Sequence, residues 1–324
     1  MMSVANRPGE PSPFHAGEKA LQERAGMAER IEQIGQRVVR DFMPDQHRDF
    51  FAQLPFLIAG TLDAQGQPWA SVLAAPPGFV TSPDATRLAV HAPPLPHDPL
   101  ADNLAPGVPI GLLGIEPHTR RRNRANGHVS FVAEDSFGVH VEQSFGNCPK
   151  YIQARRPEFV DADRPAPVAH RTEGLDAAAH AIIAKADTFF IATAHPSAAD
   201  ASSRAYGVDV SHRGGKPGFV QVDEEGVMTV PDFIGNFYFN TLGNLAVNPR
   251  CGLLFIDFER GDLLYVAARG EIVAQGPLVE AFEGAQRVLR LRTVSALRVE
   301  GVLPLRWSEA QLSPALAATG AWPR

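Results

Sequence analysis

The chain of 324 residues has few of the features that mark several large classes of protein. It contains only two cysteines, Cys148 and Cys251, so a disulfide framework is not expected and free thiols in a reducing cytoplasm are the simpler interpretation. No run of about 18 apolar residues occurs, which predicts no membrane span. The formal net charge of −6 disfavours a general role in binding nucleic acid or membrane surfaces.

Motifs of several common catalytic and binding sites are also missing. There is no G-x-G-x-x-G loop, no P-loop and no G-x-S-x-G elbow. His47, His97 and His212 have no metal-ligand spacing with other His, Cys or carboxylate residues. Residues 1–13 are polar and proline-rich, lack the apolar core of a signal peptide and are predicted to form a disordered tail. We therefore expect a cytoplasmic protein without a metal site.

Helices are predicted mainly near the start of the chain. Apolar residues recur every three to four positions from Gly17 to Phe42, with one gap of six, and Gly26 can divide this run into two helices. A short helix is predicted over 46–54, and an alanine-rich helix over 175–186.

The rest of the chain is predicted to consist mainly of strands, because short apolar runs alternate with Gly, Pro and Asp. The candidate strands of the first half are Phe56–Thr61, Trp69–Ala74, Leu88–His91, Ile110–Ile115, Gly127–Ala133 and Val139–Gln143. Those of the second half are Phe189–Ala194, Val208–His212, Phe219–Val222, Val227–Val230, Gly252–Phe258, Leu263–Glu271 and 287–294. The polar, proline-containing stretch 155–171 is predicted to link the two halves.

The two halves contain an internal repeat. Resemblance between apolar strands explains any one match, but it does not explain several matches in the same order. We therefore predict a mainly β protein, a β-barrel with flanking helices, built from two fused repeats over 14–154 and 172–324. The matching segments are FLIAGT (56–61) with FFIATA (189–194), PPGFV (76–80) with KPGFV (216–220), and Leu104–Ile115 with Leu245–Ile256.

Basic and amide residues distinguish the second copy from the first. SHRGGKPGF at 211–219 stands where the first copy has LAAPPGF at 73–79. DFIGNFYFNTLGN at 232–244 stands where the first copy has PPLPHDPLADN at 93–103. The second copy is therefore the expected location of a ligand site.

The chemistry of these residues suits an anion. Arg213 can donate two parallel hydrogen bonds to a phosphate, and Lys216 adds a second positive charge. A short helix is predicted to follow, and its free N–H groups also favour a phosphate. The polar residues near the start of that helix are Asn236, Asn240 and Thr241.

Several of these features also have plainer interpretations. A solvated polar turn explains 211–216, and caps or turns explain Asn240 and Asn244. The basic run Arg120–Arg124 is expected to be a solvated hairpin, with the alternative that it meets an anionic cofactor or partner across a subunit interface. Cys148 is expected to be a partly buried, inert thiol.

The second copy resembles the pyridoxamine 5′-phosphate oxidase-like family of FMN-binding split barrels. The resemblance lies in GVDVSHRGGKPGFV (207–220) and the segment that begins VMTVPDFIGNFYFNTLGN (227–244), and it is strongest over about 185–275. Its most distinctive part is NPRCGLLF (248–255). The first copy, with its helical extension and VEQSFGNCPKYI (141–152), resembles a larger subgroup of this family.

This resemblance implies an FMN-binding split barrel in which Arg213 is the best phosphate ligand. The oxidases themselves have a basic pair where this chain has Asn240 and Thr241, so the phosphate contacts there are expected to differ. Residues that bind pyridoxal phosphate have no clear match, and vitamin B6 oxidation is therefore not implied. The expected cofactor-binding residues are Ser211, His212, Arg213, Lys216, Asp232, Asn236, Asn240, Thr241 and Asn244.

The resulting prediction is an FMN-dependent oxidoreductase that acts on a small molecule, with a reductase or a nicotinamide as electron donor. The alternatives are a flavin-binding protein without turnover and a split barrel that uses a deazaflavin or haem. Family members usually form dimers with FMN at the interface. Here either two chains form a homodimer or the two repeats imitate one. His212 is expected to face away from the flavin if Arg213 faces it, because successive strand residues point to opposite faces.

Overall fold

Helices form where the sequence has helical periodicity, and glycine separates the first two. The computed structural model describes residues 11–160, 165–200 and 203–323. Gly26 has a φ of +66° between the first two helices, a conformation that glycine adopts without steric cost and that divides the predicted run. The helices are α1 (Ala16–Arg24), α2 (Ala28–Val38), α3 (Asp45–Ala52), α4 (Leu100–Asn103), α5 (Ala177–Lys185), α6 (Asn240–Val247) and α7 (Pro277–Glu280).

Strands make up most of the remaining structure. They include the predicted strands, together with strands that the sequence did not predict at 80–84, 157–159, 168–172 and 305–307. In the first half they are β1 (Phe56–Leu62), β2 (Pro68–Ala74), β3 (Val80–Asp84), β4 (Arg87–Val90), β5 (Pro109–Glu116), β6 (Arg121–Val132), β7 (Phe137–Gly146) and β8 (Pro157–Phe159). In the second half they are β9 (Val168–Thr172), β10 (Thr188–Ala194), β11 (Val208–Gly214), β12 (Gln221–Val222), β13 (Val227–Phe233), β14 (Arg250–Ile256), β15 (Leu263–Val273), β16 (Ala285–Glu300) and β17 (Leu305–Trp307).

Two antiparallel sheets repeat one topology. The first sheet has the order β2-β1-β5-β6-β7-β4-β3, and the second has the order β11-β10-β14-β15-β16-β13-β12. Seven strands of the second sheet thus correspond one to one with those of the first, and β9 is an additional eighth strand that pairs with β16. The fold is a mainly β split barrel with two repeats, as the sequence predicted.

Parts of the predicted tail and of the predicted linker fall among the described residues. Residues 1–10 of the predicted tail 1–13 lie outside the described residues. In the rest of the predicted tail, Ser12 Oγ donates to Glu32 Oε2 at 2.6 Å. In the predicted linker 155–171, residues 161–164 lie outside the described residues. The rest of that stretch includes β8, which pairs with β17, and most of β9, which pairs with β16.

The register of the sheets corrects one of the sequence matches. Ala59 pairs with Leu112, and Ile191 pairs with Leu253. Since Leu112 and Leu253 occupy matching positions, Ala59 corresponds to Ile191. The match of FLIAGT with FFIATA was therefore wrong by one residue.

Both faces of these strands are buried, which explains the error. Leu57 and Phe189 point into the cores of their own repeats, whereas Ile58 and Phe190 point into a third core between the repeats. A shift of one residue exchanges the two faces of a strand. With apolar residues on both faces, the hydrophobic pattern does not fix the register.

The third core joins the two repeats within one chain. It packs side chains of β1, β2 and β5 against side chains of β10, β11, β14 and β15. Apolar burial of this kind is the main favourable contribution to packing. The repeats therefore pack face to face, and residues from both reach the cleft at the edge of this contact.

Candidate functional site

A cleft rich in basic residues lies where the two repeats meet, and we call it the basic cleft. The first repeat contributes residues of β6 and of 147–151, and the second contributes residues of β11, β13, the loop 234–239 and the start of α6. One acidic side chain, that of Asp232, faces five basic ones. Such an excess of positive charge favours an anionic ligand. The basic residues are Arg122, Arg124, Lys150, Arg213 and Arg287.

Most of the residues predicted to bind the cofactor line this cleft, and two do not. Lys216 Nζ donates to the carbonyl of Thr319 at 2.5 Å, outside the cleft. Asn244 Nδ2 donates to Thr193 Oγ1 at 3.2 Å, and the equivalent amide of the first repeat makes the same kind of contact. Asn244 therefore connects α6 to β10. The predicted residues that line the cleft are Ser211, His212, Arg213, Asp232, Asn236, Asn240 and Thr241.

Arg124 is the most deeply held cation of the cleft and comes from the first repeat. It is only 3% exposed, and it forms an ion pair of 2.9 Å with Asp209 Oδ1. Its Nη2 donates to Ser211 Oγ at 2.6 Å, and its Nη1 donates to Asn240 Oδ1 at 2.8 Å. Burial lowers the pKa of this guanidinium, and Asp209 opposes that effect. The second repeat thus holds Arg124 by three polar side chains.

Arg122 lies two residues earlier on the same face of β6. Its Nε donates to the carbonyl of Cys148 at 2.7 Å, and burial lowers its pKa to about 10, so that it remains charged at neutral pH. The expectation of a solvated hairpin at 120–124 is therefore wrong for Arg122 and Arg124. Alternate residues of a strand share a face, so the spacing of these two arginines contained the signal.

Asp232 holds two further arginines of the cleft in place. Arg213 Nη1 forms an ion pair with Asp232 Oδ1, and Arg287 Nη1 lies 3.3 Å from Asp232 Oδ2. The guanidinium of Arg287 also lies over the ring of Phe239, at 4.9 Å from its centroid. Because both of its oxygens face arginines, Asp232 orients cations here and is poorly placed to act as a base.

Aromatic residues in an unusual backbone conformation form another part of the cleft wall. Tyr151, Phe237 and Phe239 have φ values of 65°, 61° and 61°. This left-handed region is sterically costly for bulky residues and occurs mainly where the surrounding structure requires it, often at binding sites. The rings of Tyr151 and Phe233 lie 4.9 Å apart, and the Tyr151 hydroxyl donates to the carbonyl of Ile234 at 3.2 Å. The wall offers flat apolar surface beside the cations.

Four buried polar atoms of cleft residues have no hydrogen-bond partner among the residues that the structure describes. They are Arg124 Nε, Arg213 Nε, Asn147 Nδ2 and His212 Nε2. Buried polar groups are normally paired, and an unpaired one costs about 1–3 kcal/mol. Three of these atoms are obligatory N–H donors, and a phosphate offers three acceptor oxygens. The donor set of the cleft therefore fits a phosphate group.

His212 contributes to the packing between the repeats. Its ring contacts that of Phe190 edge-on, with centroids 5.8 Å apart, and Phe190 belongs to the third core. Burial and then the charges of Arg122, Arg155 and Arg213 hold its pKa well below the usual value, so the ring is neutral at neutral pH.

The internal repeat creates a second place between the repeats that is pseudo-equivalent to the basic cleft, and buried side chains fill it. Arg124 pairs with Leu113, and Tyr265 pairs with Leu254, which matches Leu113 in the repeat. Tyr265 therefore takes the place of Arg124. It is fully buried, and its hydroxyl donates to Asp98 Oδ2 at 2.8 Å.

The neighbouring positions of this second place are apolar as well. By the same register, Leu263 replaces Arg122 and Leu73 replaces Arg213, and both leucines are fully buried. The guanidinium groups of Arg122, Arg124 and Arg213 thus have no counterparts on this side. Of the two equivalent places, the basic cleft is therefore the one whose residues are suited to bind an anion.

Among the described residues, no group of three or more His, Cys, Asp or Glu side chains is arranged to hold a metal ion. Both cysteines are free, and Cys251 is buried. The helices in the described part of the chain are too short or too polar to span a bilayer.

One family model matches part of the chain. Residues 43–164 match the family model described as pyridoxamine 5′-phosphate oxidase. This match covers most of the first repeat, whereas the sequence resemblance noted above is strongest in the second. No curated protein matches the chain significantly.

Solved structures provide weaker likenesses. HupZ from Group A Streptococcus is 14% identical, with 32% of this chain and 93% of that chain covered and a TM-score of 0.26. HutZ, a heme storage protein from Vibrio cholerae, is 16% identical, with 40% and 96% covered and a TM-score of 0.28. A putative pyridoxamine 5′-phosphate oxidase from Lactobacillus delbrueckii is 13% identical, with 33% and 98% covered and a TM-score of 0.27. Likenesses of this size support no statement about function.

Proposed function

We propose that the basic cleft binds FMN and that the protein is an FMN-dependent oxidoreductase acting on a small molecule. The match of residues 43–164 to the family model described as pyridoxamine 5′-phosphate oxidase supports this proposal. The observation that carries this proposal is the set of unpaired N–H donors of Arg124, Arg213 and Asn147 in the cleft. A phosphate monoester supplies the acceptors that these donors lack.

The cleft residues divide between two tasks. Arg213 and Arg124 would hold the phosphate, since each has an unpaired Nε and a second nitrogen fixed by a carboxylate. Tyr151, Phe237 and Phe239 would exclude water from the ring system. Bound FMN supplies the redox chemistry, and the protein supplies binding, orientation and electrostatics.

The absorbance spectrum of the purified protein tests this proposal, followed by mass identification of the molecule released on denaturation. We expect a flavin spectrum, the mass of FMN and bleaching by reduced nicotinamide. Bound FMN that no electron donor reduces would indicate a flavin-binding protein without turnover. A Soret band or the mass of a deazaflavin would contradict the proposal and favour the corresponding alternative.

We expect one flavin per chain. The pseudo-equivalent place is filled by Tyr265 and Leu263, which offer neither charge nor room to a phosphate, and Leu73, at the position of Arg213, is buried in the core of the first repeat. Flavin absorbance after denaturation, divided by protein concentration from amino-acid analysis, gives the ratio. A value near two in the fully loaded protein would show that the filled place also binds.

His212 is expected to be dispensable for turnover. Its ring is buried between the repeats and neutral, so it is unsuited to donate a proton near neutral pH. In a His212→Ala protein with full flavin occupancy, we expect rates of flavin reduction and reoxidation close to those of the unmodified protein. A loss of about a hundredfold or more in stopped-flow measurements would instead indicate acid–base catalysis by this residue.

A further inference from the structure

Helix α1 packs closely against α6, the helix that begins at the basic cleft. A Cβ atom on Gly17 would collide with the carbonyl of Gly243, and one on Gly243 would collide with the side chain of Glu18. Glycine at these two positions lets the helices approach this closely. The contact fixes α1 relative to Asn240, the first residue of α6.

Glu18 is connected to the cleft by a chain of two hydrogen bonds. Asn240 Nδ2 donates to Glu18 Oε1 at 2.6 Å, and Arg124 Nη1 donates to Asn240 Oδ1 at 2.8 Å. The other oxygen of Glu18 accepts from the backbone N–H of His15 at 2.8 Å, which completes the N-terminal cap of α1. Glu18 thus orients the Asn240 amide so that its oxygen faces Arg124.

We propose that Glu18 is a positioning residue of the basic cleft, which holds Asn240 and through it Arg124 in place for an anionic ligand, and that ionisation of Glu18 weakens the binding of that ligand. The inference rests on the proposed function only in taking FMN as the anion.

Electrostatics around Glu18 give the direction of the effect. The charged and titratable groups that face it are His15 at the N-cap of α1, Arg124 on β6 and Asp209 on β11, while α6 presents the amide of Asn240. Burial lowers the pKa of His15 to about 4, so His15 is neutral above pH 6. Burial also raises the pKa of Glu18 to about 8.

Linkage then fixes the sign of the pH dependence. A phosphate bound beside Arg124 disfavours a negative charge on Glu18, so it raises the pKa of Glu18 further and binding is accompanied by proton uptake. The affinity for FMN must therefore fall as the pH rises through about 8. A residue with a purely structural role would shift the affinity equally at every pH.

The test is a titration with FMN, followed by quenching of flavin fluorescence, at pH values from about 7 to 9.5. The phosphate monoester is a dianion throughout this range, since its second pKa is about 6. All proteins carry Cys148→Ser, so that no free thiol lines the cleft during the titration. We expect the parent to lose affinity by about tenfold across the range, and the Glu18→Gln protein to keep a nearly constant affinity.

Two matched comparisons complete the experiment. Glu23→Gln removes an exposed carboxylate from the same helix and should retain the pH dependence of the parent. Riboflavin, which lacks the phosphate, should bind the parent with little pH dependence. This arm needs no Glu18 variant, so it remains informative if Glu18→Gln does not fold.

The outcomes separate this inference from the proposed function. Equal pH dependence in the parent and in Glu18→Gln, or constant affinity of the parent for FMN, would overturn the role of Glu18. Equal affinities of the parent for FMN and riboflavin at pH 7 would instead overturn the assignment of a phosphate site.

Discussion

Replacing Arg124 with Met is expected to lower the free energy of unfolding by about 3–5 kcal/mol, the usual cost of breaking a buried ion pair from one side. Asp209 is only 4% exposed, and without Arg124 its carboxylate keeps no cation at hydrogen-bond distance among the described residues. Asn126 and Ser211 remain as its hydrogen-bond donors. Urea denaturation followed by circular dichroism measures the change.

Two further variants show whether the unpaired charge is the cause. Adding Asp209→Asn to Arg124→Met should recover a large part of the lost stability, because it removes the uncompensated carboxylate. Arg121→Met changes an exposed arginine of the same strand and should have a small effect. A loss below about 1 kcal/mol in Arg124→Met would mean that the pair is far less important than its burial indicates.

The second large effect is expected for Arg213→Ala, which should weaken FMN binding by about 1.5–3 kcal/mol, or roughly 10- to 150-fold. The arginine lies at the end of β11 with an unpaired Nε, and charge-assisted hydrogen bonds to a phosphate have this magnitude. Binding of riboflavin should change little. Isothermal titration calorimetry with both flavins measures the two affinities.

Lys216→Ala is the matched control for this substitution. Both residues belong to the SHRGGK segment, but Lys216 donates to Thr319 outside the cleft. We therefore expect Lys216→Ala to leave the affinity for FMN nearly unchanged. A loss in Lys216→Ala as large as that in Arg213→Ala would contradict the separation of these two side chains.

Much of the fold could be predicted from the sequence because its periodicity is local. Apolar alternation, turn residues and Gly26 gave the strands and the division of the first helices, and the ordered matches gave the repeat. The one-residue error at 56–61 arose because both faces of the strand are buried. Leu57 and Ile58 are both apolar, so the sequence pattern did not determine which of them faces the core of the first repeat. Only the pairing with β5 resolves that choice.

The candidate site was predictable only within the second repeat. Arg213, Asp232 and Asn240 belong to adjacent segments of one repeat, and the sequence placed them together. Arg124 and Glu18 reach the same network from segments more than 80 residues away, and their positions depend on how the repeats and α1 pack. A local pattern contains little information about such packing.

A phosphate site in the basic cleft is tested most directly by comparing FMN, riboflavin and FAD as ligands of the flavin-free protein. With one charge-assisted contact or more to the terminal phosphate, FMN should bind the full chain at least about tenfold more tightly than riboflavin at pH 7, and more tightly than FAD. Equal affinities for FMN and riboflavin would contradict the phosphate site.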